Sequence, residues 1–168
     1  MNAYASLAAR IRQALIDLER VVGRAQSLVA KAQSTADDGY YDGAALNIHG
    51  FYAGIERIFE DIAAITGEGL PSGSAWHQDL LLQMSAEIED VRPPVIAQTT
   101  RYCLDEYRGF RHVVRNVYTF NLRPSRIAAL GSDLGDCYAA VSRDLLAFAD
   151  YLSRLAREVH EISEGDDH

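Results

Sequence analysis

The chain has 168 residues, of which 48% are apolar and 24% charged, and its formal net charge is −8. These values are typical of one globular domain and exclude a chain that is disordered beyond its tails. The acidic balance also argues against nucleic-acid binding over the whole surface. Because no apolar stretch approaches the roughly 18 residues of a membrane span, we expect no contact with a membrane. The opening Met-Asn-Ala-Tyr lacks the pattern of a signal peptide.

The chain contains two cysteines, Cys103 and Cys137. So few cysteines predict that there is no disulfide framework and favour a reducing, cytoplasmic location. Cys103 falls on the apolar side of a predicted helix, which indicates a core residue.

The hydrophobic pattern of the first half predicts two long helices. Apolar residues recur at steps of three and four from Leu7 to Ala32, which indicates an amphipathic helix that ends before Asp37-Asp38-Gly39. A second helix carries its apolar face from Ile48 to Ile65, and Gly67 is the expected residue after its end.

Three further helices are predicted beyond the loop at 67–73. The third is capped by Ser72 or Ser74 and runs from Trp76 to Val91, where Pro93-Pro94 stops it. The fourth runs from about Ile96 to Phe120, and Arg123-Pro124 marks a turn. The last carries apolar residues at heptad spacing from Leu134 to Ile162.

No segment alternates apolar and polar residues as a half-buried strand does. The pattern therefore predicts an all-α, antiparallel bundle of four to five helices. A single domain is expected over residues 1–163, with a frayed acidic tail at 164–168. The apolar stripes of the first and last helices are long enough for a dimer interface as well as a core, although core packing alone is commoner.

Searches for metal and phosphate motifs find none in the sequence. The loop at 67–73 does not fit Gly-x-Gly-x-x-Gly, no Cys-x2-Cys pair occurs, and the acidic residues at 37–42 lack calcium-loop spacing. We therefore expect no metal and no cofactor. His49 and His77 lie within helical patterns, which is more typical of structural residues than of ligands.

The predicted fourth helix carries a concentration of arginine. Residues 101–126 contain six arginines and two acids, so this segment is +4 while the remainder is −12. When the residues of this helix are placed around its axis at about 100° per residue, four arginines fall on one face, which we call the arginine ridge. The ridge ends at Tyr118 and is flanked by His112 and Asn116. The arginines of this ridge are Arg101, Arg108, Arg111 and Arg115. Two interpretations are open: a solvated face paired with acids of neighbouring helices, or a surface that binds phosphates bidentately.

The sequence Arg111-His112-Val-Val-Arg115-Asn116-Val-Tyr118 resembles the Arg–x4–His–x–Tyr motif of HepT-type toxins. These toxins belong to the HEPN group of helical-bundle, metal-independent ribonucleases. Arg111 and Tyr118 match the Arg and Tyr positions of the motif, and Asn116 stands where the family has its catalytic His. The resemblance covers about residues 5–160.

This resemblance implies a toxin of a two-gene toxin–antitoxin system that cleaves RNA as a homodimer, with two motifs facing each other across a shared cleft. The implied partner is a nucleotidyltransferase antitoxin, which in some systems adds AMP to the motif tyrosine, here Tyr118. The implied catalytic residues are Arg111, His112, Asn116 and Tyr118. The remaining arginines of the ridge, Arg101, Arg108 and Arg115, are the expected phosphate-binding residues.

Asn116 leaves the proton transfers of such a reaction unassigned, because asparagine cannot shuttle a proton as histidine does. Three interpretations are open. His112, on the same face, takes the acid–base role; or the chain is a nearly inactive relative that acts as an RNA- or partner-binding helical dimerisation module; or Asn116 is an introduced substitution that makes a toxic protein expressible.

Overall fold

A computed structural model describes residues 2–116, 118 and 121–165, with the backbone alone at 116 and 163–165. This part of the chain forms five α-helices and no β-strand, which confirms the predicted all-α bundle. The helices are α1 (Ala3–Thr35), α2 (Gly39–Thr66), α3 (Trp76–Met84), α4 (Gln98–Asn116) and α5 (Pro124–Gly165). None of them is both long and apolar enough to cross a membrane.

The core lies between α1, α2 and α5, and α4 packs against α2, α3 and α5. The stripes predicted for the first two helices are the residues that are buried, from Leu7 to Ala32 and from Ile48 to Ile62. Gly54 permits the close approach of α1, because a Cβ there would lie 2.6 Å from a methyl carbon of Leu18. The two longest packing surfaces thus follow directly from helical periodicity.

The ends of α1 and α2 also agree with the sequence pattern. The Asn2 side chain accepts a hydrogen bond from the backbone of Tyr4, which caps the first turn of α1. α2 ends at Thr66 and is followed by Gly67, whose φ of 76° lies in the left-handed region that glycine adopts without steric cost.

Helix α3 is shorter than predicted and begins differently. The residue at its N-cap position is Ala75 rather than Ser72 or Ser74, and no side chain there hydrogen-bonds to the backbone of the first turn. It ends at Met84, seven residues before the predicted Val91. The carbonyl of Met84 instead accepts hydrogen bonds from the backbone N–H groups of Val95 and Ile96.

A buried ion pair explains why the helix stops there. Arg92 donates from Nε and Nη2 to the two carboxylate oxygens of Glu68, both at 2.6 Å, and each side chain is at most 4% exposed. Arg92 also donates to the carbonyls of Gln83, Ala86 and Pro93. Continuing α3 to Val91 would break these bonds and leave the Glu68 carboxylate buried without its partner.

Helix α4 is fixed to α5 at its start. The Asp144 carboxylate of α5 accepts from the backbone N–H of Ala97 at 2.9 Å and from the Thr100 hydroxyl at 2.6 Å. α4 is described as far as Asn116, and the predicted end at Phe120 lies outside the described residues. α5 continues to Gly165, beyond the predicted domain end at residue 163, and residues 166–168 of the predicted tail also lie outside them.

The two cysteines, whose small number predicted no disulfide framework, are joined in the structure. Cys103 of α4 and Cys137 of α5 form a disulfide, with their Cα atoms 5.8 Å apart. Cys103 lies on the side of α4 that packs against α5, as its apolar surroundings predicted, and this packing brings it to Cys137 across 34 residues of chain. The number of cysteines in the sequence gives no indication that the two side chains lie close together.

Candidate functional site

The arginine face of α4 forms one wall of an open cavity of about 590 Å³, and the start of α3 forms the other. None of the described residues that line the cavity is acidic. Its basic side chains are His77, Arg108, Arg111, His112 and Arg115. The cavity therefore presents donors and positive charge to solvent, which suits an anionic ligand.

Arg101, the fourth arginine of the predicted ridge, is not brought into this cavity. Its guanidinium carbon lies 5.0 Å from the ring centroid of Tyr102, a cation–π distance. Its Nε is buried and has no hydrogen-bond partner within the described chain. The structure thus assembles three of the four ridge arginines, with Arg101 further toward the N-terminal end of α4.

Arg111 is not a solvated residue, although the sequence pattern places it on the polar face of α4. Its side chain is 15% exposed, and its Nη2 lies 3.7 Å from Oε1 of Glu56, whose side chain on α2 is 6% exposed. The polar face of α4 at this point is covered by α2 and α3. Arg108, in contrast, pairs with the exposed Asp105 of its own helix at 2.7 Å.

Glu56 also holds His77. Nδ1 of His77 lies 2.7 Å from Oε2 of Glu56. Because an ionised carboxylate only accepts hydrogen bonds, Nδ1 is the ring nitrogen that carries a proton. One buried carboxylate therefore contacts both Arg111 of α4 and His77 of α3.

The imidazole of His77 is also contacted by Arg111 and Trp76. Nη1 of Arg111 lies 3.2 Å from Nε2 and 3.4 Å from Nδ1, within hydrogen-bond distance of both ring nitrogens. The Trp76 ring lies 3.7 Å away, centroid to centroid, at an interplanar angle of 32°. His77 is therefore held by contacts with Glu56, Arg111 and Trp76.

His49 lies on α2 behind the cavity, and its pKa is affected by the positive charge of the arginines there. Burial lowers the pKa of His49, the charges of Arg111 and Arg115 lower it further, and Glu56 opposes them. Its Nε2 is buried and has no hydrogen-bond partner among the described residues. His49 is therefore neutral at pH 7, and the charge of this region is carried by the arginines.

The remaining motif residues stand at the C-terminal end of α4. His112 is exposed at the cavity, and Tyr118 is 73% exposed. Asn116 is the last residue of α4, and its side chain lies outside the described part of the structure. Four residues of the predicted site, Arg108, Arg111, His112 and Arg115, thus line one cavity in the structure.

The sequence pattern gave no functional role to Glu56, and it indicated that His77 is a structural residue. A signal for Glu56 was present, because it interrupts an apolar face between Tyr52 and Phe59, and a lone acid there requires a partner. No comparable signal marks His77, since its neighbours Glu56 and Arg111 are 21 and 34 residues away.

Fold and site together define an all-helical bundle protein with a cationic cavity along its fourth helix. A family model described as HepT-like protein matches residues 43–152, and the chain belongs to this family, which is part of the HEPN group. The match includes nearly all of α2, all of α3 and α4, and most of α5, so it contains every residue that lines the cavity. No curated protein and no solved structure matches the chain.

Proposed function

We propose that this chain is the toxin of a HepT-type toxin–antitoxin pair and a metal-independent endoribonuclease that acts at the cavity between α3 and α4. The observation that carries the proposal is the convergence of Arg108, Arg111 and Arg115 with two histidines in an open cavity whose described lining is free of acids. RNA supplies the anionic, planar groups that such arginines bind and stack on.

Each cationic residue has a defined role in this proposal. Arg108 and Arg115 bind RNA phosphates on either side of the reacting one, and Arg101 extends the contact toward the start of α4. Arg111, held by Glu56, stabilises the negative charge that develops on the phosphorus oxygens. His112, on the cavity wall, is one available proton carrier in place of Asn116.

The active unit is proposed to be a homodimer in which the two copies of α4 face each other. Val113 supports this arrangement, because it is an apolar residue of α4 and is 42% exposed. A second copy over this face would cover Val113 and place two sets of cavity arginines along one RNA strand.

The proposed regulator is a nucleotidyltransferase antitoxin that adds AMP to Tyr118 in the cytoplasm. Tyr118 is 73% exposed, so its hydroxyl is accessible to another protein's active site. AMP would add bulk and negative charge next to Arg115 and compete with RNA phosphates. Tyr118→Phe should abolish labelling by the partner, whereas Tyr102→Phe, at a tyrosine of α4 that is 58% exposed, should retain it. Equal labelling of both variants would exclude Tyr118 as the acceptor.

The experiment that tests the enzymatic proposal is RNA cleavage in the presence of EDTA. We compare the unmodified chain with Asn116→His, which restores the family motif, and with Arg111→Lys, which keeps the charge beside Glu56 but loses the planar guanidinium. Cleavage should be present in the unmodified chain, higher in Asn116→His and lost in Arg111→Lys. Arg126→Lys is the matched control, because Arg126 is exposed and outside the cavity. RNA binding without cleavage in any variant would replace the ribonuclease by a non-catalytic RNA-binding module.

A further inference from the structure

We infer that His77, oriented by Glu56, is a catalytic proton-transfer residue of this site and supplies the function that Asn116 cannot. The inference rests on the proposed ribonuclease activity and assigns a group that lies outside the Arg–x4–His–x–Tyr motif. It is carried by three contacts that fix one imidazole at the wall of the cavity beside Arg111.

The contacts direct one nitrogen of His77 away from Glu56. Nδ1 carries a proton and faces Glu56 at 2.7 Å. Arg111 and Trp76 also contact the ring, and Nη1 of Arg111 lies 3.2 Å from Nε2. In the proposed complex an RNA phosphate takes the Arg111 guanidinium, which leaves the lone pair of Nε2 free to act as a base. A carboxylate that orients a histidine through Nδ1 and leaves Nε2 as the base is the arrangement that hydrolytic triads use.

Several charged or titratable groups lie near His77, and they come from two helices. Glu56 and His49 lie on α2, and Arg108, Arg111, His112 and Arg115 lie on α4. Glu56 is the anion in contact with the ring, and Arg111 is the cation nearest to it. The same carboxylate thus fixes the proton-transfer group and the charge-stabilising group at a constant separation.

The proposed step is cleavage of RNA by its own 2′-hydroxyl. Nε2 of His77 takes the proton of that hydroxyl while the 2′-oxygen forms a bond to phosphorus. The bond between phosphorus and the 5′-oxygen then breaks, and this oxygen takes a proton from water. The products are a 2′,3′-cyclic phosphate and a 5′-hydroxyl, and His77 gives its proton to the hydroxide that remains. Arg111 stabilises the charge on the non-bridging oxygens throughout.

The test is metal-free cleavage by His77→Ala, with and without added imidazole. General-base catalysis contributes on the order of 100- to 10,000-fold, so we expect a rate loss of at least about 100-fold. RNA binding should be retained, and imidazole should restore part of the rate because the substitution leaves space beside Trp76. A purely structural His77 would show no such rescue. His160→Gln, at an exposed histidine of α5, is the matched control.

Glu56→Gln tests the positioning role of the carboxylate. The amide still reaches His77 and Arg111 but carries no charge, so kcat should fall while the KM for RNA stays unchanged. An unchanged rate in His77→Ala, while Arg111→Lys is inactive, would overturn this inference and leave the ribonuclease proposal intact. No cleavage by the unmodified chain would overturn both.

Discussion

Nδ1 of His77 lies 2.7 Å from Oε2 of Glu56, although the two residues are 21 positions apart and on different helices. The other carboxylate oxygen of Glu56 lies 3.7 Å from Nη2 of Arg111 on a third helix. The Glu56 side chain is 6% exposed, so neither contact is a solvent-screened surface pair. Glu56 therefore joins α2, α3 and α4 behind the residues that line the cavity, and the stability and the chemistry of this region are connected through it.

Arg111→Ala should destabilise the fold as well as remove activity. The substitution takes away the arginine that contacts Glu56, and removal of one partner of a buried pair costs about 3 kcal/mol or more. Arg108→Ala is the control, because Arg108 pairs with the exposed Asp105 and such pairs contribute below about 1 kcal/mol. Urea unfolding of the two variants measures the difference. Equal losses would show that the Glu56–Arg111 contact does not stabilise the protein.

Arg92→Ala should lower the free energy of unfolding by about 3 to 5 kcal/mol, because it leaves Glu68 buried without its bidentate partner. Burial raises the pKa of Glu68, yet hydrogen bonds from Arg92, Gln83 and Thr66 outweigh it and lower the pKa below its usual value. The pair therefore stabilises the protein at neutral pH and is lost as the pH falls through this lowered pKa. The matched control, Arg126→Ala, breaks an exposed pair with Glu106 and should change stability little. A small effect of Arg92→Ala would contradict the explanation given for the end of α3.

The contacts of Arg92 and Glu56 could not be predicted from the sequence pattern. Periodicity located the buried faces of α1 and α2 and the ridge on α4, because each depends on neighbours one helical turn away. The end of α3 depends on Glu68, 24 residues before Arg92, and the position of His77 depends on helices α2 and α4. The Cys103–Cys137 disulfide was missed for the same reason. Such long-range contacts are set by tertiary packing and leave no local pattern.

His49 should make the protein less stable in mild acid. Its pKa is lowered in the folded state, by burial first and by Arg111 and Arg115 next. The unfolded state therefore binds the proton more readily, and stability falls as the pH decreases below about 6.5. His49→Gln removes this titration, so its loss of melting temperature between about pH 7 and pH 5 should be smaller than that of the unmodified chain. Parallel pH profiles for the two proteins would contradict the buried, cationic surroundings of His49.

The Cys103–Cys137 disulfide closes a loop of 34 residues between α4 and α5. The chain-entropy account gives such a loop about 3 to 4 kcal/mol, so a reducing agent should lower the free energy of unfolding by an amount of this order. Cys137→Ser should be as stable as the reduced protein and insensitive to reductant. A thiol titration of the unfolded, unreduced protein checks the premise, and two reactive thiols in it would contradict the disulfide.

The central claim is that RNA binds in the cavity between α3 and α4, and the salt dependence of RNA affinity tests it most directly. For single strands the logarithmic slope against salt is about −0.7 per phosphate contact, so Arg108→Ala combined with Arg115→Ala should reduce the slope by about 1.4. Arg20→Ala combined with Arg24→Ala removes the same charge from exposed positions of α1 and should leave the slope unchanged. Equal effects of the two double variants, or no RNA binding at any salt concentration, would contradict the account.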